Sequence, residues 1–160
     1  MTEKSVRMLF GALVAVLVAV GTAVATPLED ALAAYRRGDY ATAERILRPL
    51  AGRGDAKAQN YLASLYSGYQ GFPKDCAELM KWIRLAAGQG DAEAQYALGF
   101  HYYNGDCVPQ NFVLAHMWLN LSAAQSTDSR TAAIMIRDWT ERHMTPAQIA
   151  EASKWKPASR

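Results

Sequence analysis

Two cysteines are all that this chain of 160 residues contains, and they form no C-x-x-C pair. Its three histidines, His101, His116 and His143, form no H-x-x-x-H pair either. These absences remove the short spacings that hold a zinc ion or a redox-active dithiol, so no metal and no cofactor is expected. No G-x-S-x-G occurs, which removes the strand-to-helix elbow of many serine hydrolases. Charge of one sign is missing as well: 17 Lys and Arg stand against 15 Asp and Glu, a net +2, and the basic residues are dispersed. A nucleic-acid footprint needs a concentrated basic patch, so no nucleic-acid partner is expected. No segment of any strength alternates with the strand period, and the fold class expected is therefore all-α.

One long apolar run is present, and it lies at the N-terminus. Lys4 and Arg7 precede it, Leu9 to Val20 is apolar apart from Gly11, and Ala23-Val24-Ala25 follows. This is the three-part pattern of a secretory signal peptide over residues 1–25, with cleavage expected before Thr26. The rival reading is an uncleaved anchor, which would give the protein its membrane contact; about 20 apolar residues span a bilayer. The small residues before Thr26 favour cleavage and a periplasmic or secreted domain of residues 26–160. With the segment removed, 15 basic and 14 acidic residues remain.

The rest of the chain nearly repeats itself after 36 residues. Gly54-Asp55-Ala56 returns as Gly90-Asp91-Ala92, Ala58-Gln59 as Ala94-Gln95, Leu62 as Leu98, Tyr66 as Tyr102, Pro73 as Pro109 and Trp82 as Trp118. Leu85, Ala87 and Gln89 return as Leu121, Ala123 and Gln125, making 12 identities in 36 positions. A period of this length means stacked supersecondary units, none of which buries its apolar face alone. Each unit reads as two helices. Ala94, Leu98 and Tyr102 mark one face of a first helix, Asn104-Gly105-Asp106 breaks it, and Asn111 caps a second helix carrying Leu114, Trp118 and Leu121. The preceding unit follows the same plan with Ala58, Leu62 and Tyr66, then Asp75 as cap and Leu79, Trp82 and Ile83. The units span about 28–56, 57–92 and 93–127, followed by a C-terminal cap over 128–156. In the cap, Asp128 to His143 reads as one helix, and Thr145-Pro146-Ala147-Gln148 starts a short last one that carries Ile149, Ala152 and Trp155 over the open end. Pro157 to Arg160 is expected to fray.

Glu93-Ala94-Gln95, Leu98-Gly99, Tyr102, Gly105, Val108-Pro109-Gln110-Asn111 and Trp118 together resemble the Sel1-like repeat family, a relative of the tetratricopeptide repeat with a longer loop between its helices. Residues 57–92 follow the pattern with Ala63 and Tyr69 in place of two glycines, and residues 28–56 look like a tetratricopeptide-type unit. The resemblance implies an α-solenoid of stacked antiparallel helix pairs. It also implies an adaptor or scaffold role, which in exported bacterial members often serves envelope regulation, polysaccharide export or host interaction. Two departures stand out. Cys107 occupies the place of the second loop glycine, a position expected to need positive φ. Asn120, Ser122 and Ser126 are more polar than the usual end of that helix, so the next element should not pack as a third full repeat.

Cys107 aligns with Gly71, which puts Cys76 and Cys107 near one edge of adjacent units. Stacked helical layers lie about 10 Å apart, whereas a disulfide needs Cα atoms within about 7 Å. A bridge is open to the loop, but the reading favours two separate thiols. His101 aligns with Leu65 and His116 with Met80, which makes both ordinary helix positions. No catalytic residue is assigned; a cysteine hydrolase using Cys107 and His101 lacks an orienting third group and is the weakest alternative. Alignment with tetratricopeptide core positions leaves Tyr96, Phe100, Tyr103 and Asn104 toward the concave groove, with Tyr35 and Arg36 on the matching surface. Aromatic side chains there suit peptide capture, although packing against a neighbouring helix explains them as well. Tyr66, Tyr102, Trp82 and Trp118 return in register and are assigned to the core. The function expected is non-enzymatic binding of a protein or peptide partner in the cell envelope. The alternative is an envelope regulatory subunit that recognises cell-wall or polysaccharide fragments.

Overall fold

The computed structural model describes residues 25–68 and 71–155; the signal-peptide reading over 1–25, apart from its last residue, lies outside them, as do the Tyr69 loop position and the fraying expected of 157–160. Eight helices follow one another: α1 Pro27–Arg36, α2 Tyr40–Gly52, α3 Ala56–Leu65, α4 Cys76–Gly88, α5 Ala92–Asn104, α6 Phe112–Ala123, α7 Arg130–Glu141 and α8 Pro146–Lys154. No strand occurs among the described residues. From α1 to α7 each helix packs on the next, which is the stack of helix pairs expected from the period.

The recurring Gly-Asp-Ala has a local cause. Gly54 and Gly90 take φ of 96° and 94°, the left-handed turn that ends one unit. Asp55 and Asp91 then accept the backbone N–H of Ala58 and Ala94 at 2.9 and 2.8 Å and cap α3 and α5. Asp75, Asn111 and Thr145 cap α4, α6 and α8 as expected, Thr145 with Gln148 in a capping box. Thr26 and Glu29 form a second capping box, so α1 starts at Pro27, one residue before the expected first unit of about 28–56. α7 is shorter than the expected 128–143, because Ser129 makes no side-chain cap and the chain leaves the helix after Glu141.

Leu47, Leu62, Leu79, Leu98 and Leu119 are fully buried, and Tyr66 and Trp82 are buried with them. Tyr102 and Trp118 are half-buried against the same core. Gly99 sets the approach of α5 to α6: a Cβ there would lie 2.7 Å from Leu119 Cγ and 3.1 Å from the Leu119 nitrogen.

The last layer departs from a full repeat. α6 packs against α5, α7 and α8. Its polar end is used inside: Ser122 is fully buried, and Asn120 Oδ1 accepts from Arg137 of α7 at 3.4 Å. Trp155 follows α8 rather than lying in it, and meets Trp118 edge-on with ring centroids 5.0 Å apart.

Candidate functional site

A cavity of about 250 Å³ opens between α3, α4 and α5. Leu79 and Ile83 of α4 line it with Ala63, Ser64 and Ser67 on one side and Tyr96, Ala97, Phe100 and His101 on the other. The space follows from a break in the repeat. Ser64 stands one period before Phe100, and Asn60 one period before Tyr96. Small side chains on one first helix therefore face large rings on the next. Tyr96 and Phe100, one helical turn apart, stack with centroids 6.2 Å apart. Burial pushes the Tyr96 phenol above its ordinary pKa, with Glu93 adding to it.

His101 is held rigidly. Its Nδ1 lies 3.1 Å from the main-chain oxygen of Asp106 and 3.4 Å from the Asp106 carboxylate. That commitment leaves Nε2 as the nitrogen a ligand in the cavity could meet. Burial holds the imidazole pKa below its ordinary value against the opposing pull of Asp106 and so favours the neutral ring. Lys74 donates to Asp106 at 2.6 Å and holds that carboxyl below the usual range.

The expected separate thiols are instead a disulfide. Cys76 and Cys107 are bonded, with Cα atoms 5.1 Å apart. Layer spacing argued against this, but it measures helix axes. Cys76 is the first residue of α4, and Cys107 sits on the long loop of the following unit, which reaches back across the gap. Asn111 N–H donates to the Tyr102 carbonyl at 2.9 Å and folds that loop. Cys107 takes φ 60°, as the replaced glycine position demands, and Gly71 one period earlier has φ 76°.

The six groove candidates separate. Tyr96 and Phe100 line the cavity together with His101, which the sequence reading treated as an ordinary helix position. Tyr35 packs edge-on between Tyr40 and Tyr61, at 5.6 and 5.3 Å, against the core of the first layers. Arg36 and Asn104 are exposed at the last residues of α1 and α5. Tyr103 leans on Phe112 at 6.1 Å, Phe112 stacks on His143 at 4.6 Å, and His143 stacks on Trp139 at 5.6 Å. This aromatic row runs from α5 and α6 to α7 and to His143 just beyond it, and its one signal in the sequence is that Trp139 and His143 stand four residues apart. Trp139 and Met135 remain 50% and 65% exposed. Ser64 and Ser67 were missed too; the signal for Ser64 was its size mismatch with Phe100.

His116 is buried, with Nε2 at 3.0 Å from Glu141 Oε1 and Nδ1 unpartnered. Among the described residues no group of three His, Cys, Asp or Glu side chains stands together to hold a metal. No described helix is long and apolar enough to cross a membrane.

The family model of the Sel1 repeat matches residues 56–91 and 92–126, the two units that the period defines. A similar solved structure is that of a protective antigen present in uropathogenic Escherichia coli strains and displaying an SLR fold. The two chains are 28% identical with a TM-score of 0.70. The likeness covers 79% of this chain and 27% of the antigen, so this chain spans about a quarter of that protein's length. No curated protein matches the chain.

Proposed function

Because the chain is a Sel1-like repeat protein, we propose that it is a non-enzymatic interaction module of the cell envelope that captures a protein or peptide partner at the α3–α5 cavity. Repeats of this type generally mediate protein–protein interaction. The observation that carries the reading is the pairing of Tyr96 and Phe100 with Ser64 and Ser67 around an apolar floor. Rigid rings opposite small residues leave room for one bulky side chain of a partner, and such filled pockets concentrate binding energy. Two observations support export. Cleavage before Thr26 leaves intact the cap that starts α1. A disulfide suits an oxidising compartment. Cys107, the nucleophile of the hydrolase alternative, is tied up in that bridge.

A photo-crosslinking amino acid at position 64 of the full chain, expressed in its own cells, tests the reading. The expected adduct is with an envelope protein and is lost with Phe100→Ala. An adduct that survives Phe100→Ala would place capture elsewhere. The polysaccharide alternative rests on the exposed Trp139, whose face can stack on a sugar. It predicts retention on a glycan array that Trp139→Ala abolishes and Phe100→Ala does not.

A further inference from the structure

The bridge and the cavity are built from the same two segments. Cys76 opens α4, and Leu79 and Ile83 of that helix line the cavity. Cys107 follows Asp106, whose main-chain oxygen and carboxylate fix His101 on the opposite wall. The Lys74–Asp106 ion pair spans the same gap, but its lysine is 45% exposed, and exposed pairs contribute little. The loop is under tension of its own: Cys107 holds φ 60°, a conformation an L side chain rarely adopts. The disulfide is thus the covalent tie between the 105–110 loop, which carries the Asp106 partner of His101, and the start of α4.

We infer that the Cys76–Cys107 disulfide is a redox clasp for the cavity, and that a dithiol reductant opening it frees the loop, loosens His101 and weakens capture. The inference rests on the cavity being the capture site. Cys76 is exposed, so an incoming thiolate reaches it. Attack on Cys76 Sγ breaks the S–S bond, and Cys107 leaves as a thiolate and takes a proton. The second thiol of the reductant then attacks the mixed disulfide, closes the reductant's own disulfide and releases Cys76 as the thiol. Two electrons pass from the dithiol to the protein.

The test compares the oxidised full chain, the chain reduced with dithiothreitol, and Cys107→Gly, which removes the bridge while relieving the positive φ. The probe is p-cresol, followed through the NMR signals of the Leu79 and Ile83 methyl groups, alongside a pH titration of the His101 ring. If a tenth of reduced molecules keep the cavity formed, p-cresol binds about tenfold more weakly. The His101 titration should move from below its ordinary range toward that of free histidine, about 6.5. Cys107→Gly should behave as the reduced chain and ignore dithiothreitol. Equal binding with an unmoved His101 titration would overturn the clasp. So would a loss of helical circular dichroism in both the reduced chain and Cys107→Gly, since the bridge would then hold the whole fold. If p-cresol binds neither form, the capture reading fails, and His101 decides the clasp: a moved titration upholds the release, an unmoved one overturns it.

Discussion

Gln89 donates its side-chain amide to Gln59 Oε1 at 2.7 Å, and one period later Gln125 donates to Gln95 Oε1 at 3.0 Å. Each acceptor passes the bond on. Gln59 donates to the carbonyl of Ala51 at 3.0 Å, and Gln95 to that of Ala87 at 3.2 Å. Gln59 and Gln95 are buried, where an unpaired amide is costly. A three-group relay therefore ties the end of one second helix, through the next first helix, to the end of the following second helix. This explains why four glutamines recur in register.

Gln95→Ala should destabilise the fold by about 1–3 kcal/mol, because the Ala87 carbonyl and the Gln125 amide both lose a partner. Chemical denaturation measures it. A midpoint equal to that of the native chain would show that the relay contributes nothing.

Gly99→Ala should also destabilise, by about 1–3 kcal/mol through overpacking. Helix propensity alone predicts the opposite sign, a gain of up to about 1 kcal/mol. The new methyl would meet Leu119 at 2.7 Å, with backbone close behind. A rise in melting temperature would mean that α6 moves aside freely.

Three truncations on α5 separate packing from capture. Leu98→Ala, at a fully buried site, should cost about 2–5 kcal/mol. Tyr103→Ala removes a half-buried ring leaning on Phe112 and should cost about 1–2 kcal/mol. Phe100→Ala should cost less than about 1 kcal/mol yet weaken partner capture. A Phe100→Ala chain as unstable as Leu98→Ala would assign that ring to the core.

Breaking the bridge should cost about 2–4 kcal/mol, and the substitution chosen should matter. Cys107→Gly restores the residue type that suits φ 60°, whereas Cys107→Ser keeps the strain. The glycine variant should be more stable than the serine variant by about 1 kcal/mol. Equal stabilities would mean that the loop relaxes out of the left-handed region once the bridge is gone.

His101 makes stability depend on pH. Its folded pKa is depressed, first by burial, so the unfolded chain binds the proton more readily. Its contribution is full above the unfolded value of about 6.5 and is lost as pH falls from there through the folded pKa. Melting temperatures between pH 7 and pH 5 should fall more steeply for the native chain than for His101→Gln. Parallel profiles would remove His101 as the source.

Much of the fold was legible because its causes are local or periodic. Asp75, Asn111 and Thr145 cap their helices within four residues, and Tyr66, Trp82, Leu62 and Leu98 recur because each layer must fill the same space. The polar Asn120 and Ser122 foretold a terminal layer of different packing. The Thr26–Glu29 capping box is equally local, with its two partners three residues apart.

The site was less legible. Tyr35 and Tyr96 were both assigned to the groove, yet Tyr35 is enclosed by Tyr40 and Tyr61, whereas Tyr96 borders a cavity. Which outcome a ring meets depends on its neighbours one helix away, and repeat spacing does not report them. The sequence by itself determined the all-α stack, its period, its caps and the positive φ at Cys107, since each follows from interactions along a helix or from a unit meeting its own copy. Only the tertiary structure decided that Cys76 and Cys107 meet and that Ser64 faces Phe100 across an open space. A disulfide and a cavity depend on distances of a few ångströms between segments about 30 residues apart, and the reach of a loop sets those distances.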